Sequence, residues 1–201
     1  MNKTIALAFT GASGLPYGLR LLECLIAADV RVWLLYSQAA QLVAKQEMDL
    51  VLPAQPREAQ RMFAERFAAK DGQLAVFGAQ DWNAPLASGS NAPDAYVVCP
   101  CSMGTLAKIA VGLADDLIAR AADVVLKEGR KLILVPRETP FSAIHLENML
   151  RLARLGVTIL PPSPGFYHRP DGVQALVDFV VARILDQLGI AHRLVVPWGG
   201  D

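Results

Sequence analysis

The chain has little cysteine, little histidine and no surplus of either charge. Of its 201 residues three are cysteine (Cys24, Cys99, Cys101) and three are histidine (His145, His168, His192). They lie too far apart for the ligand spacing of a structural zinc site, and so sparse and odd a cysteine set fits reduced thiols rather than a disulfide framework. Basic and acidic residues number 19 each. That balance offers no electrostatic footprint for nucleic acid or an anionic membrane, so any anion site has to be local. No apolar run approaches the roughly 20 residues of a membrane span, yet the mean hydropathy of +0.33 is high, and burial between subunits is the expected reason. There is no repeat and no low-complexity tract. No basic leader or small-residue cleavage site precedes the first apolar run, which makes the cytoplasm the expected location.

Short apolar runs alternate with helical patterns. Ile5–Phe9, Val32–Tyr36, Leu74–Phe77, Ala95–Cys99, Leu132–Val135 and Val157–Leu160 read as strands buried on both faces. Helices are expected at about Tyr17–Ala28, from Ser37 onward, and over Arg57–Ala69, Leu106–Val111, Leu117–Glu128, Phe141–Leu155 and Gly172–Leu188. This alternation predicts one domain over residues 1–201: a doubly wound parallel sheet of the flavodoxin-like or Rossmann-like kind, in three α/β/α layers. Two stretches, Gly78–Ala95 and Pro161–Gly172, are dense in Gly, Pro, Ser and Asn and read as long functional loops.

The first strand leaves through "TGASGLPYG", Thr10 to Gly18, a turn of small side chains running into a helix. Such a turn lets a large ligand approach the backbone, and the helix N-terminus behind it favours an anion, a phosphate being the obvious candidate. The glycine spacing is not that of a dinucleotide fingerprint, no acidic residue ends the second strand to hold a ribose, and no Lys follows the glycines as in a P-loop. A mononucleotide fits better. Hydroxyls follow several strands: Ser13, Ser37, Ser88 with Ser90, and Ser102 with Thr105. Each can serve a phosphate or merely cap a helix. The turns at Ser13, Ser37 and Ser102 should converge at one edge of the sheet.

Among the charged residues, Arg120 and Lys127 stand seven apart on one helix face, and Arg137 and Glu138 follow a strand directly. Arg183 continues the apolar stripe of Leu176, Phe179 and Val180, where it must pair, bind an anion, or snorkel from the stripe's edge. Glu47 reads as an acid or base near the second strand's turn, or as a surface residue. Trp82 and Tyr167, in the irregular loops, suit a stacking platform or a subunit contact. Cys101 reads as a small buried hydrophobe rather than a nucleophile, and His145 as a residue that orients a loop.

The blocks "TGASG.PYG.RLL", "ASGS" at 87–90, "CPCSMGTL" at 99–106, "RAADVVLKE" at 120–128, "VPRETPFSAIHLENML" at 135–150 and "PPSPGFYHRP" at 161–170 occur in order, and in them the sequence resembles the UbiX flavin prenyltransferases from about Ile5 to Trp198. The resemblance implies a subunit of the flavin-containing cysteine decarboxylase type, assembled as a homododecamer with active sites between subunits. It implies a metal-independent transfer of a dimethylallyl group from dimethylallyl monophosphate to N5 and C6 of reduced FMN. The prenylated flavin would serve UbiD-type decarboxylases, in ubiquinone synthesis or aromatic acid decarboxylation. It assigns FMN to Gly11, Ala12, Ser13, Ser37, Ser88, Ser90, Ser102, Met103, Gly104, Thr105 and Arg137, with Arg120 from a neighbouring subunit and Trp82 lining the same site. Lys127, Arg137, Glu138, Tyr167 and Arg183 are assigned to the prenyl phosphate, and Glu138, Glu47 or the departing phosphate to the C6 proton. An FMN-dependent cysteine or aromatic-acid decarboxylase and a non-catalytic flavin-binding protein are the competing readings. A cysteine decarboxylase would need a histidine in the first helix region, which reads "LPYGLRLLECL".

Overall fold

The computed structural model describes residues 3–196. Its elements run β1 (Thr4–Phe9), α1 (Leu15–Ala27), β2 (Arg31–Tyr36), α2 (Gln38–Met48), α3 (Pro56–Phe67), β3 (Leu74–Phe77), β4 (Ala95–Cys101), α4 (Met103–Val111), α5 (Leu117–Lys127), β5 (Lys131–Pro136), α6 (Ala143–Arg154), β6 (Thr158–Ile159) and α7 (Val173–Leu188). Two single turns of 3₁₀ helix, Pro85–Ala87 and Gly89–Asn91, interrupt the first of the two irregular loops.

All the strand pairs are parallel, in the order β3-β2-β1-β4-β5-β6. The chain winds outward in both directions from β1 and β4, so the connections leave these two neighbours to opposite sides and open a crevice beyond their carboxyl ends. Successive residues of a strand serve opposite layers. Ile5, Leu7 and Phe9 pack with α1, α3 and α7, whereas Ala6 and Ala8 pack with α4 and α5. Each buried Leu or Ile in these layers contributes about 1.5–3 kcal/mol, which is why strands covered on both sides read as unbroken apolar runs. Between α1 and α7 the Arg20 guanidinium donates to Asp178 at 2.7 Å.

Helix starts lie earlier or later than expected, for local reasons. Helix α1 begins at Leu15 because Pro16 is tolerated in a first turn and Gly14, at φ 107°, redirects the chain. Helix α6 begins at Ala143 rather than Phe141. There Ser142 accepts from the His145 amide and His145 Nδ1 accepts from the Ser142 amide, a reciprocal cap that bears out the structural reading of His145. Helix α6 buries Leu152 and leaves Ile144, Leu146 and Leu150 exposed, beside exposed Val111 and Leu113 at the end of α4. Among the described residues no helix is long and apolar enough to cross a membrane.

Candidate active site

At the carboxyl ends of β1, β2, β4 and β5 the expected turns converge. Gly11 is required by that convergence: a Cβ there would run into the Ala39 side chain, so the absent side chain lets the start of α2 press against the β1 turn. Gly18 has the same role in the first turns of α1, where an added Cβ would meet the Cys99 carbonyl and stand 2.7 Å from the Phe9 ring. Ser37 and Ser102 cap α2 and α4, accepting from the Ala40 and Thr105 amides at 3.1 and 3.2 Å, and Ser102 Oγ lies 3.0 Å from Thr105 Oγ1. Ser13 caps nothing; Gly14 holds that position without a side-chain bond. The leading amides of α2 (Gln38, Ala39) and α4 (Met103, Gly104) have no intrahelical acceptors and form donor sets for an anion.

The N-terminus of α1 itself is already served. Glu47, exposed near the end of α2, places its carboxylate 3.0 Å from the Gly14 amide and 3.4 Å from that of Leu15. The anion expected there from sequence is thus the chain's own carboxylate. A ligand phosphate is left with Gly11–Ser13 and the starts of α2 and α4.

Arg137 supplies the cation. From the end of β5 its amide donates to the Cys101 carbonyl at 3.2 Å and its Nε to the Ser13 carbonyl at 3.3 Å, carrying the guanidinium across β4 to the first turn. Glu138 lies beside it, one oxygen 3.9 Å from Arg137 Nη1 and 3.1 Å from the Thr139 amide. Thr10, 1% exposed, ties the turns together underneath: its hydroxyl donates to the Pro100 carbonyl and accepts from the Ser102 amide, both at 2.8 Å. Sequence reasoning misses this residue. The signal that could have found it is a hydroxyl ending an apolar strand just before the small-residue turn.

The remaining candidates form two further groups. Ser88 and Ser90, their hydroxyls 3.0 Å apart, sit in a 3₁₀ turn against the end of α5, where a Cβ on Gly89 would stand 2.6 Å from Lys127 Nζ. Arg120 belongs to the same group: its Nε donates to the Ala87 carbonyl at 3.1 Å and its Nη1 to Asp123 at 2.6 Å. Lys127 closes α5 just before β5 starts at Lys131, at the amino ends of the strands and away from the crevice. It pairs there with Glu128.

Tyr167 and Arg183 form the third group, at the β6 edge. The Tyr167 ring meets Phe179 edge-on at 5.9 Å and His168 at 5.6 Å, and His168 stacks on Phe179 at 5.3 Å. Both His168 ring nitrogens are buried with no hydrogen-bond partner among the described residues. Arg183 lines a cavity of about 370 Å³ with Leu160, Ser163 and Phe179. Its side chain is 57% exposed and donates to Asp186 at 2.6 Å, so within one chain it lies at the edge of the apolar stripe and not inside it. Trp82, 47% exposed, follows β3 on the crevice side of the sheet. The tail beyond Val196, with Trp198, lies outside the described residues.

The two thiols at the end of β4 take no part in this chemistry: burial pushes Cys99 and Cys101 far above the ordinary thiol range. Among the described residues no group of three or more His, Cys, Asp or Glu is placed to hold a metal ion.

Comparison with known proteins identifies the family. The Flavoprotein family profile matches residues 1–185. The flavin prenyltransferase UbiX of Pseudomonas aeruginosa is 58% identical over 97% of this chain and 93% of its own. Among solved structures, AnUbiX (PadA1) in complex with FMN and dimethylallyl pyrophosphate superimposes with a TM-score of 0.88 at 39% identity, covering both chains fully. A dodecameric FMN-dependent UbiX-like decarboxylase from Escherichia coli O157:H7 does so with a TM-score of 0.83 at 44% identity, over 94% of this chain and 96% of the other. The chain belongs to the Flavoprotein family and, within it, to the UbiX flavin prenyltransferases.

Proposed function

We propose that this chain is the single-domain, cytoplasmic subunit of a homo-oligomeric flavin prenyltransferase, which joins a dimethylallyl group from dimethylallyl monophosphate to N5 and C6 of reduced FMN. The observation that carries the reading is Arg137 standing over the Ser13 turn at 3.3 Å. It brings a cation to the donor-rich ends of β1, β2 and β4, a setting matched to the phosphate and polar edges of a mononucleotide.

Gly11, Ala12 and Ser13 offer backbone at close range, Ser37 and the Ser102–Thr105 turn offer hydroxyls and helix N-termini, and Arg137 offers charge. Reduced flavin supplies the two nucleophilic positions. The protein's task is the leaving group: breaking the allylic carbon–oxygen bond releases phosphate with the electron pair, and fixed cations stabilise that charge where it develops. Lys127, Arg183 and the Tyr167 hydroxyl suit this role together with Arg137. Trp82 offers a π face to the allyl cation and no nucleophile to trap it. Three groups have the chemistry to take the C6 proton: Glu138, Glu47 and the departing phosphate.

One copy of the chain does not assemble this set. Lys127 with Ser88 and Ser90 stands at the amino ends of the strands, Arg120 a turn into α5 on the outer face of the sheet, and Arg183 on the β6 edge, so each is read as reaching a flavin crevice by belonging to another copy. The exposed apolar residues of α6 and α4 provide surface for such an assembly, and the Escherichia coli relative is dodecameric. The product would pass to a UbiD-type decarboxylase. Anaerobic incubation with reduced FMN and dimethylallyl monophosphate should give a flavin heavier by one five-carbon unit; an unchanged flavin mass with both ligands bound contradicts the reading. Release of carbon dioxide from an aromatic acid by the purified protein alone would favour the decarboxylase instead.

A further inference from the structure

The donors at the start of α4 are aimed by a residue that stays beneath them. Thr10 is the first residue after β1 and Ser102 the first after β4, so the two strand ends flank the crevice at its switch point. The Thr10 hydroxyl is used in both senses, as donor to the Pro100 carbonyl and acceptor from the Ser102 amide at 2.8 Å each, while the Thr10 amide also reaches the Pro100 carbonyl at 3.3 Å. With its amide turned inward to Thr10, Ser102 has its hydroxyl left for Thr105, capping the Thr105 amide at 3.2 Å and meeting Oγ1 at 3.0 Å. Met103 and Gly104, the next two residues, then present the first free amides of α4.

We propose that Thr10 is a positioning residue for flavin binding: without touching the ligand, its buried hydroxyl sets the orientation of Ser102 and so aims the Met103–Thr105 turn. The proposal rests on the reading that this crevice holds FMN. The hydroxyl carries the effect, because removing it leaves the part-buried Ser102 N–H without its acceptor and the Pro100 carbonyl with only the longer bond from the Thr10 amide, at 3.3 Å, loosening the register of the two turns. The Thr10 methyl has no such role.

Two substitutions separate hydroxyl from shape. Thr10→Val keeps the volume and loses both bonds; Thr10→Ser keeps both bonds and loses a methyl. In the assembled protein, Thr10→Val should weaken FMN binding and raise the KM for reduced FMN by about tenfold or more, the scale set by one misaligned buried hydrogen-bonding pair, with the KM for dimethylallyl monophosphate nearly unchanged. Thr10→Ser should stay within about threefold of the parent protein in both, since its buried bonds survive. Should Thr10→Val fail to assemble, Thr10→Cys, with a weak donor in place of the hydroxyl, is read in the same way. Parental FMN affinity and bound-flavin absorption in Thr10→Val overturn the proposal, as does a Thr10→Ser variant as impaired as Thr10→Val. If the parent protein itself binds no FMN, the functional reading fails and the positioning claim is judged by hydrogen exchange across residues 99–106. Faster exchange there in Thr10→Val supports it and unchanged exchange overturns it.

Discussion

The Glu47 carboxylate closes the N-terminus of α1 from 33 residues away, accepting from the Gly14 amide at 3.0 Å. A negative group at a helix start satisfies orphan amides and meets the positive end of the helix dipole. It also keeps the small-residue turn folded back onto α2. Glu47→Ala should therefore lower stability by about 0.5–1 kcal/mol, the range for an exposed N-terminal cap, and Glu47→Gln by less. Urea unfolding at one fixed protein concentration measures both, and a Glu47→Ala variant as stable as the parent contradicts the capping role.

Gly11 and Gly18 should respond differently to the same added methyl. At Gly11 the obstacle is the Ala39 side chain, so Gly11→Ala should fold and lose FMN affinity by about tenfold as α2 is pushed from the turn. At Gly18 the obstacles are the Cys99 backbone carbonyl and the Phe9 ring, neither of which can yield, so Gly18→Ala should be recovered poorly or unfolded. Flavin titration and yield of soluble assembly read the two cases. Equal behaviour would contradict the packing described.

The thiols give a chemical check on burial. Cys99 and Cys101 are fully buried and held in the protonated form, and burial raises the partly buried Cys24 as well. Iodoacetamide at pH 8 should label at most Cys24 in the native protein and all three cysteines after unfolding, since only the thiolate reacts. Mass spectrometry of peptides reads this directly, and native labelling of Cys101 would contradict its placement.

Stability at high pH should carry the signature of Tyr36. Burial raises its phenol from the ordinary 10.0 to about 12, and its hydroxyl bonds the Pro53 carbonyl. The folded state therefore binds more protons than the unfolded one between these values. The stabilisation is full below pH 10 and is lost as pH rises toward 12. Tyr36→Phe should flatten the fall over that window, and an unchanged slope would contradict the assignment.

Much of the architecture can be read from residues alone. The apolar runs at Ile5–Phe9 and Ala95–Cys99 mark strands because both faces are covered, and the turns that follow them mark the switch point because ligand crevices form there. What local pattern does not carry is pairing across long separations. Glu47 with Gly14, Thr10 with Ser102 and Arg137 with Ser13 arise from the order of strands, which no spacing reveals. The stripe containing Arg183 marks a face of α7 correctly but not its edge, so a residue expected in apolar surroundings stands half in solvent in one chain. Nor does helical spacing say which end of the sheet Lys127 occupies; the direction of α5 does.

The proposed division of the site among copies predicts complementation. A Gly11→Ala, Ser13→Ala subunit damages the crevice and an Arg183→Ala subunit damages the phosphate clamp, and each alone should be nearly inactive. Co-assembled in equal amounts, they should recover about a quarter of parental sites, because random mixing in a symmetric assembly unites an intact crevice with an intact clamp that often. No recovery in verified mixed assemblies contradicts a shared site.

A structure of the assembled protein with FMN and dimethylallyl monophosphate bound would decide the matter most directly. The flavin should lie in the crevice of Ser13, Ser37 and Ser102 of one copy, with the prenyl phosphate within about 3 Å of an Arg183 guanidinium and a Tyr167 hydroxyl contributed by another. A phosphate bound without either of them, with Arg183 still paired to Asp186 and facing solvent, would contradict a site shared between copies.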